Sequence, residues 1–98
     1  MQTARRLVTL FDDDTCRTQA IGRGAANALR VLAALRHRPV LSLKQLCHTS
    51  AMTFPTASKA MQNLITAGIA RELTGQRRNR VFVYDAYLNI LNEGGELL

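Results

Sequence analysis

The stretch from Thr53 to Gly68, TFPTASKAMQNLITAG, constrains this chain more than any other. At 3.6 residues per turn, Phe54, Ala57, Ala60, Met61, Leu64 and Ile65 fall on one side. Pro55, Lys59, Gln62, Asn63 and Thr66 fall on the other, with Thr56 at the edge. Thr53 suits the N-cap, because its hydroxyl can accept from a free N–H of the first turn. Pro55 lies in that first turn, where a missing N–H costs nothing. Gly68 supplies the positive φ that commonly ends a helix. The polar side has donors and acceptors but no carboxylate, as a helix approaching phosphates and base edges requires.

The elements around this helix follow from the same periodicities. Residues 3–21 read as helix, with Ala4, Leu7, Leu10, Phe11, Thr18 and Ile21 on one face. Asp14 falls on that apolar face and breaks its pattern, so the helix either leaves the core there or restarts near Thr15. Asp12, Asp13 and Asp14 point three ways around a helix and do not converge on a metal ion. Gly22-Arg23-Gly24 interrupts the chain, and residues 25–37 read as a second helix. Its inward set is Ala25, Ala28, Val31, Leu32 and Leu35, with Arg30, Ala34 and His37 outward. Arg36, His37 and Arg38 suit the negative end of its dipole, and Pro39 stops it. Val40-Leu41 reads as a short extended link able to join a small sheet. Ser42-Leu43-Lys44-Gln45 is a capping box that opens a third helix burying Leu43, Leu46 and Cys47. His48 to Met52 has the length of the turn in a helix-turn-helix.

After Gly68 the period changes from 3.6 to 2, and 69–74 and 80–84 read as strands. The tip between them, Gly75-Gln76-Arg77-Arg78-Asn79, is rich in arginine. Val81 and Val83 point to one face and Phe82 and Tyr84 to the other, so both faces require cover. Asp85 can cap a last helix over 86–91 with Leu88 and Leu91 inward, ended by Gly94-Gly95; residues 96–98 are expected to fray. The order of elements is that of a winged helix-turn-helix: mainly α with a small β-hairpin, and flanking N- and C-terminal helices. Three regions are expected: an N-terminal linker or dimerisation helix over 1–24, the winged domain over 25–92, and a tail over 93–98.

Charge narrows the partner. The chain of 98 residues carries a net charge of +6. Residues 41–84 hold six Lys/Arg against one Glu, so the excess concentrates on the central helix and the hairpin. Such an excess favours polyanions, nucleic acid first. In a DNA complex the candidates for contact are Thr53, Pro55, Thr56, Ser58, Lys59 and Gln62 on the helix. Gln62 suits adenine, and Lys59 suits a phosphate. Arg77, Arg78 and Arg80 on the wing would reach the backbone or the adjacent minor groove.

Other classes find little support. His37 and His48 lie on different helices, no Ser or Cys has a visible base, and no phosphate loop follows a strand, so the chain reads as no enzyme. Cys16 and Cys47 have no metal-ligand spacing, and no metal or cofactor is expected. No signal peptide and no apolar run near the roughly 20 residues of a membrane span are visible, which favours a cytoplasmic setting without membrane contact.

The run from Arg71 to Leu88, RELTGQRRNRVFVYDAYL, resembles the C-terminal end of Fic-family proteins. Thr3–Leu7, Ala28–Val31 and Phe54–Thr56 look like the same family's tail, so the likeness covers about 3–92. It implies a regulatory winged helix behind a catalytic Fic domain that transfers AMP, and so a Fic domain as partner in a longer parent chain. The family's catalytic His-Pro-Phe and Gly-Asn-Gly-Arg runs are absent, and no catalytic residue carries over. The leading expectation is therefore a duplex-DNA-binding module. The alternative is a protein-interaction or homodimerisation module using Leu7, Phe11 or Phe82.

Overall fold

The computed structural model describes residues 2–75 and 79–95. Five helices and three short strands follow one another: α1 (Gln2–Gln19), α2 (Ala25–His37), β1 (Val40–Ser42), α3 (Leu43–Ser50), α4 (Phe54–Thr66), β2 (Arg71–Glu72), β3 (Val81–Val83) and α5 (Asp85–Gly95). The strands form one antiparallel sheet in the order β1-β3-β2. Leu41 pairs with Phe82 on one side, and Glu72 pairs with Phe82 on the other. The short link after Pro39 therefore becomes a third strand. This is a winged helix-turn-helix: α3 and α4 form the helix-turn-helix, and β2–β3 form the wing.

One aliphatic core holds these elements. Val31, Leu32 and Leu35 of α2, Leu46 of α3, and Ala57, Met61 and Leu64 of α4 are buried together beneath Leu41 and Phe82 of the sheet. Each large side chain so enclosed contributes roughly 1.5–3 kcal/mol. Ala34 is buried too, although the periodicity put it outward. An alanine at the edge of an apolar stripe is small enough to sit under a neighbouring helix.

Three boundaries differ from the sequence reading. Helix α3 continues to Ser50, and its turn is shifted to 51–53. Ala51 takes a left-handed φ of 52° and donates its N–H to the Cys47 carbonyl, while Met52 turns into the core. Arg30 of α2 donates to the Ser50 carbonyl and so closes the same helix end. The strands are shorter than the alternation suggested: Leu73 still donates its N–H to the Val81 carbonyl at 2.7 Å, but Leu73 and Thr74 stand exposed past the end of β2. Helix α5 runs on to Gly95 and buries Ile90, leaving Leu91 at its margin. Residues 96–98 lie outside the described residues.

The largest correction concerns α1. It is unbroken from Gln2 to Gln19, and Asp14 is buried on its inner face. The Tyr84 hydroxyl, fully buried, donates to Asp14 Oδ2 at 2.5 Å, within the range of a hydroxyl on a carboxylate. Arg17 donates to Oδ1 at 3.2 Å. Thr18, also buried, donates its hydroxyl to the Asp14 carbonyl at 2.6 Å. Asp14 is thus an apolar-face acceptor made tolerable by its donors. Phe11, Tyr84 and Tyr87 form an aromatic cluster around it, with Phe11 and Tyr87 edge to face at 5.0 Å. Phe82, 1% exposed, and Tyr84 are both covered within the single chain, so the two-sided strand is not a free interface.

Candidate nucleic-acid interface

Helix α4 is held by its cap at one end and by α1 at the other. Thr53 Oγ1 accepts from the Thr56 N–H at 3.4 Å and donates to Thr56 Oγ1 at 2.9 Å. The Thr56 hydroxyl therefore keeps its own proton for an outside acceptor. At the far end, Gly68 takes φ +79°, and a Cβ there would lie 3.1 Å from Arg17 Nη2. That guanidinium donates to the Ala67 carbonyl, a free acceptor at the helix C-terminus. Arg17 thus ties α1 to the end of α4, while Asp14 beside it ties α1 to Tyr84 at the end of the wing.

The outward face of α4 presents Thr53, Pro55, Lys59 and Gln62 exposed, with Thr56 and Ser58 half-buried. Pro55, Lys59 and Gln62 share one side of the helix, as the periodicity predicts, with Thr56 and Ser58 toward its two flanks. Arg77 and Arg78 lie outside the described residues. Arg80 is half-buried and already engaged: Nη2 donates to Glu72 at 2.7 Å, and the guanidinium lies 5.1 Å from the centre of the Phe82 ring. That hydrogen bond raises its pKa further above the ordinary arginine value. Across the base of the wing, Arg71 grips Asp85 through two hydrogen bonds of 2.7 and 3.1 Å. The Arg71 guanidinium holds the Asp85 carboxyl below its usual range.

Two parts of this surface escaped the sequence reading. One is a groove lined by Arg23, Asn27, Thr56, Lys59 and Asn63, where the start of α2 meets α4. Gly24 allows that approach, since a Cβ there would meet Asn63 Nδ2 at 3.0 Å. Arg23 was read only as punctuation between glycines, and no local signal placed it beside α4. The other is Phe54, assigned inward but 61% exposed. It is the first residue of α4, ahead of the point where neighbouring helices cover the apolar stripe. With Leu43, Lys44, Cys47 and Arg80 it lines a groove of about 390 Å³ between α3 and the wing. Lys44 itself is exposed on α3 and was likewise passed over.

The helices that build this side carry no carboxylate, and Glu72 of the wing is engaged by Arg80. No Asp or Glu occurs between Thr15 and Arg71. Lys44 and Lys59 form none of the ion pairs present among the described residues, which join Arg6 to Glu93, Arg17 to Asp14, Arg71 to Asp85 and Arg80 to Glu72. Nor do the described residues gather three His, Cys, Asp or Glu side chains that could hold a metal ion.

Residues 24–73, half of the chain, match the IclR helix-turn-helix domain model. The chain belongs to the family of IclR-type helix-turn-helix domains. It is a helix-turn-helix DNA-binding domain of the transcription-regulator type and not an enzyme. The IclR-type domain resembles solved MarR regulators in fold. A MarR family transcriptional regulator from Silicibacter pomeroyi is 22% identical with a TM-score of 0.56, covering 96% of this chain and 65% of its own. A second MarR family regulator is 19% identical with a TM-score of 0.58, covering 98% and 69%. Staphylococcus aureus MarR, solved with salicylate and kanamycin, is 17% identical with a TM-score of 0.50, covering 98% and 71%. The chain thus spans about two thirds of the length of these regulators. No curated protein matches it.

These matches overturn the Fic resemblance, and with it the Fic catalytic domain as partner. The run from Arg71 to Leu88 has a packing explanation that needs no such parent. Arg71 binds Asp85, Arg80 binds Glu72, and Tyr84 binds Asp14. These pairings brace the wing internally, tie its base to α5 and tie its end to α1.

Proposed function

We propose that this IclR-type domain binds duplex DNA by laying the first half of α4 in the major groove, with the β2–β3 wing against the flanking backbone or minor groove. One observation carries the reading: a surface built from α3 and α4 has exposed, unpaired Lys44 and Lys59 and no carboxylate in the sequence that forms it. Gln62 reads a base edge, adenine by preference. Thr53, Pro55, Thr56 and Ser58 lie against the backbone and base edges near the helix start. Lys59 contacts phosphate, as do Arg77 and Arg78 on the wing. Arg80 braces the wing through Glu72 and carries less of the phosphate contact. The domain acts in the cytoplasm as part of a transcription regulator. No helix among the described residues is long and apolar enough to cross a membrane.

The test is fluorescence anisotropy of the protein with a labelled random-sequence duplex at two salt concentrations. Affinity should fall steeply with salt, since each neutralised phosphate contributes a slope of about −0.9. Replacing Arg77 and Arg78 together by Ala should weaken binding to all sequences and lower that slope by about 2. Absence of salt-sensitive binding at low ionic strength would overturn the proposal. A second reading, self-association through α1 and α5, is favoured by Val8, 60% exposed, and by Leu91 on α5. It predicts a dimer in sedimentation that Val8→Glu dissociates. Of the three interface residues expected from sequence, Leu7 and Phe11 remain partly accessible and Phe82 does not.

A further inference from the structure

Phe54 is the most exposed large apolar side chain among the described residues, and it stands at the first position of the helix assigned to the major groove. Leaving it in water forgoes most of the roughly 1.5–3 kcal/mol that burying a phenylalanine contributes. Its immediate surroundings are also unusual for a phosphate-binding surface. Leu43 and half-buried Cys47 make an apolar wall beside it, and exposed Lys44 and the wing residue Arg80 flank that wall. Lys44 can hold backbone on one side, while Arg80, braced by Glu72, closes the other, which brings the ring, rather than a polar group, to the base edges beside them.

The major groove of unmodified DNA presents one apolar group at its base edges, the C5 methyl of thymine. We propose that Phe54 is a specificity residue that contacts a thymine methyl, so that the site contains a thymine read by shape and burial rather than by hydrogen bonds. This rests on the DNA-binding reading above and adds to it a base preference at the start of α4, ahead of Gln62. Helical phase separates the two residues: Phe54 stands on the flank toward the wing, and Gln62 lies near the middle of the polar face. They therefore address different base pairs.

The experiment uses a duplex that the protein itself enriches from a random pool. That duplex is resynthesised with deoxyuridine replacing each thymidine in turn, which removes one methyl and nothing else. For the unaltered protein, at least one replacement should weaken binding by roughly three- to fivefold, the value of one buried methyl-sized group. With Phe54→Ala, the thymidine and deoxyuridine duplexes at that position should bind alike. With Phe54→Leu, which keeps an apolar side chain, part of the difference should return. The salt slope should not change in either variant, because phenylalanine neutralises no phosphate.

Several results would overturn the assignment. One is an enriched duplex in which no deoxyuridine replacement weakens binding. Another is a thymidine preference that persists undiminished in Phe54→Ala. A third is a Phe54→Ala loss that is equal on thymidine and deoxyuridine duplexes, which would place the ring against sugar or in a purely structural role. In each of these cases salt-dependent binding survives, so the broader reading stands while this one fails. If no duplex is enriched and random DNA is not bound, both fail together.

Discussion

The α1–α5 side of the domain pairs three arginines with carboxylates, whereas the α3–α4 face carries two lysines that enter none of the ion pairs among the described residues. Arg6 meets Glu93, Arg17 meets buried Asp14, and Arg71 meets Asp85. On the other side, Lys44 and Lys59 stand exposed without a carboxylate partner among the described residues. The contrast separates two uses of charge. Paired and hydrogen-bonded groups fix one element against another. Unpaired cations in a carboxylate-free stretch leave a field that an external polyanion can neutralise.

The contrast is broken most severely at Asp14. In Asp14→Ala the Tyr84 hydroxyl is left buried without its acceptor, and Arg17 loses the partner beside the end of α4. A stability loss of about 2–3 kcal/mol should appear as a lower urea midpoint. Asp14→Asn, which can still accept, should lose less. A loss below about 1 kcal/mol for the alanine variant would mean that this carboxylate does not tie α1 to the wing.

The opposite behaviour is expected on the helix-turn-helix side. Replacing Lys44 and Lys59 together by Ala should leave stability within about 0.5 kcal/mol, as for surface positions generally. DNA affinity at low salt should nevertheless fall about tenfold, and the salt slope should drop by about 2. Anisotropy titrations beside thermal melts separate the two effects. A variant that unfolds readily but binds normally would erase the distinction between the two sides.

How far the sequence disclosed this arrangement differs between the sides for a physical reason. The apolar stripe of α4, the capping box at Ser42 and the change of period after Gly68 are local signals, and they identified the winged helix-turn-helix. Asp14 looked like a fault because its justification, the Tyr84 hydroxyl, lies far away in the chain and comes near only after α1, β3 and α5 have packed. Arg23 and Lys44 were missed for the same reason: each joins the α4 surface through tertiary contact. Phe54 was placed inward because helical phase says which side a residue faces, but not whether anything covers that side at the helix end. Likeness in the wing misled the family assignment, because a basic hairpin followed by an aromatic residue and aspartate is a packing solution open to unrelated proteins.

The paired side can be sharpened further by pH. Burial, and then the hydrogen bond to Asp14, raise the Tyr84 pKa well above that of a free tyrosine, so the fold favours the neutral phenol. Its contribution is complete below the unfolded value of about 10 and is lost as pH rises beyond it. Tyr84→Phe should therefore be less stable than the unaltered protein near neutrality, by about 1–2 kcal/mol. The gap should close in denaturation series carried above about pH 10. A gap that stays constant to alkaline pH would mean that the phenol is not the titrating group.

The smallest effect is expected at Asp85, where pairing occurs in the open. Arg71 binds it through two hydrogen bonds, yet both side chains are substantially exposed, so solvent and salt screen the attraction. The hydrogen bond from Arg71 lowers the Asp85 pKa. Its stabilising contribution is present above the unfolded carboxyl value of about 3.9 and disappears as pH falls through the lower folded value. Asp85→Asn should thus lower the melting temperature slightly at neutral pH and not at all in strong acid, and added salt should shrink the neutral difference. Asp85 and Asp14 are both tied to arginine, and only one is buried. If Asp85→Asn proved as damaging as Asp14→Ala, pairing itself, rather than burial of the paired group, would be what distinguishes the two sides of the domain.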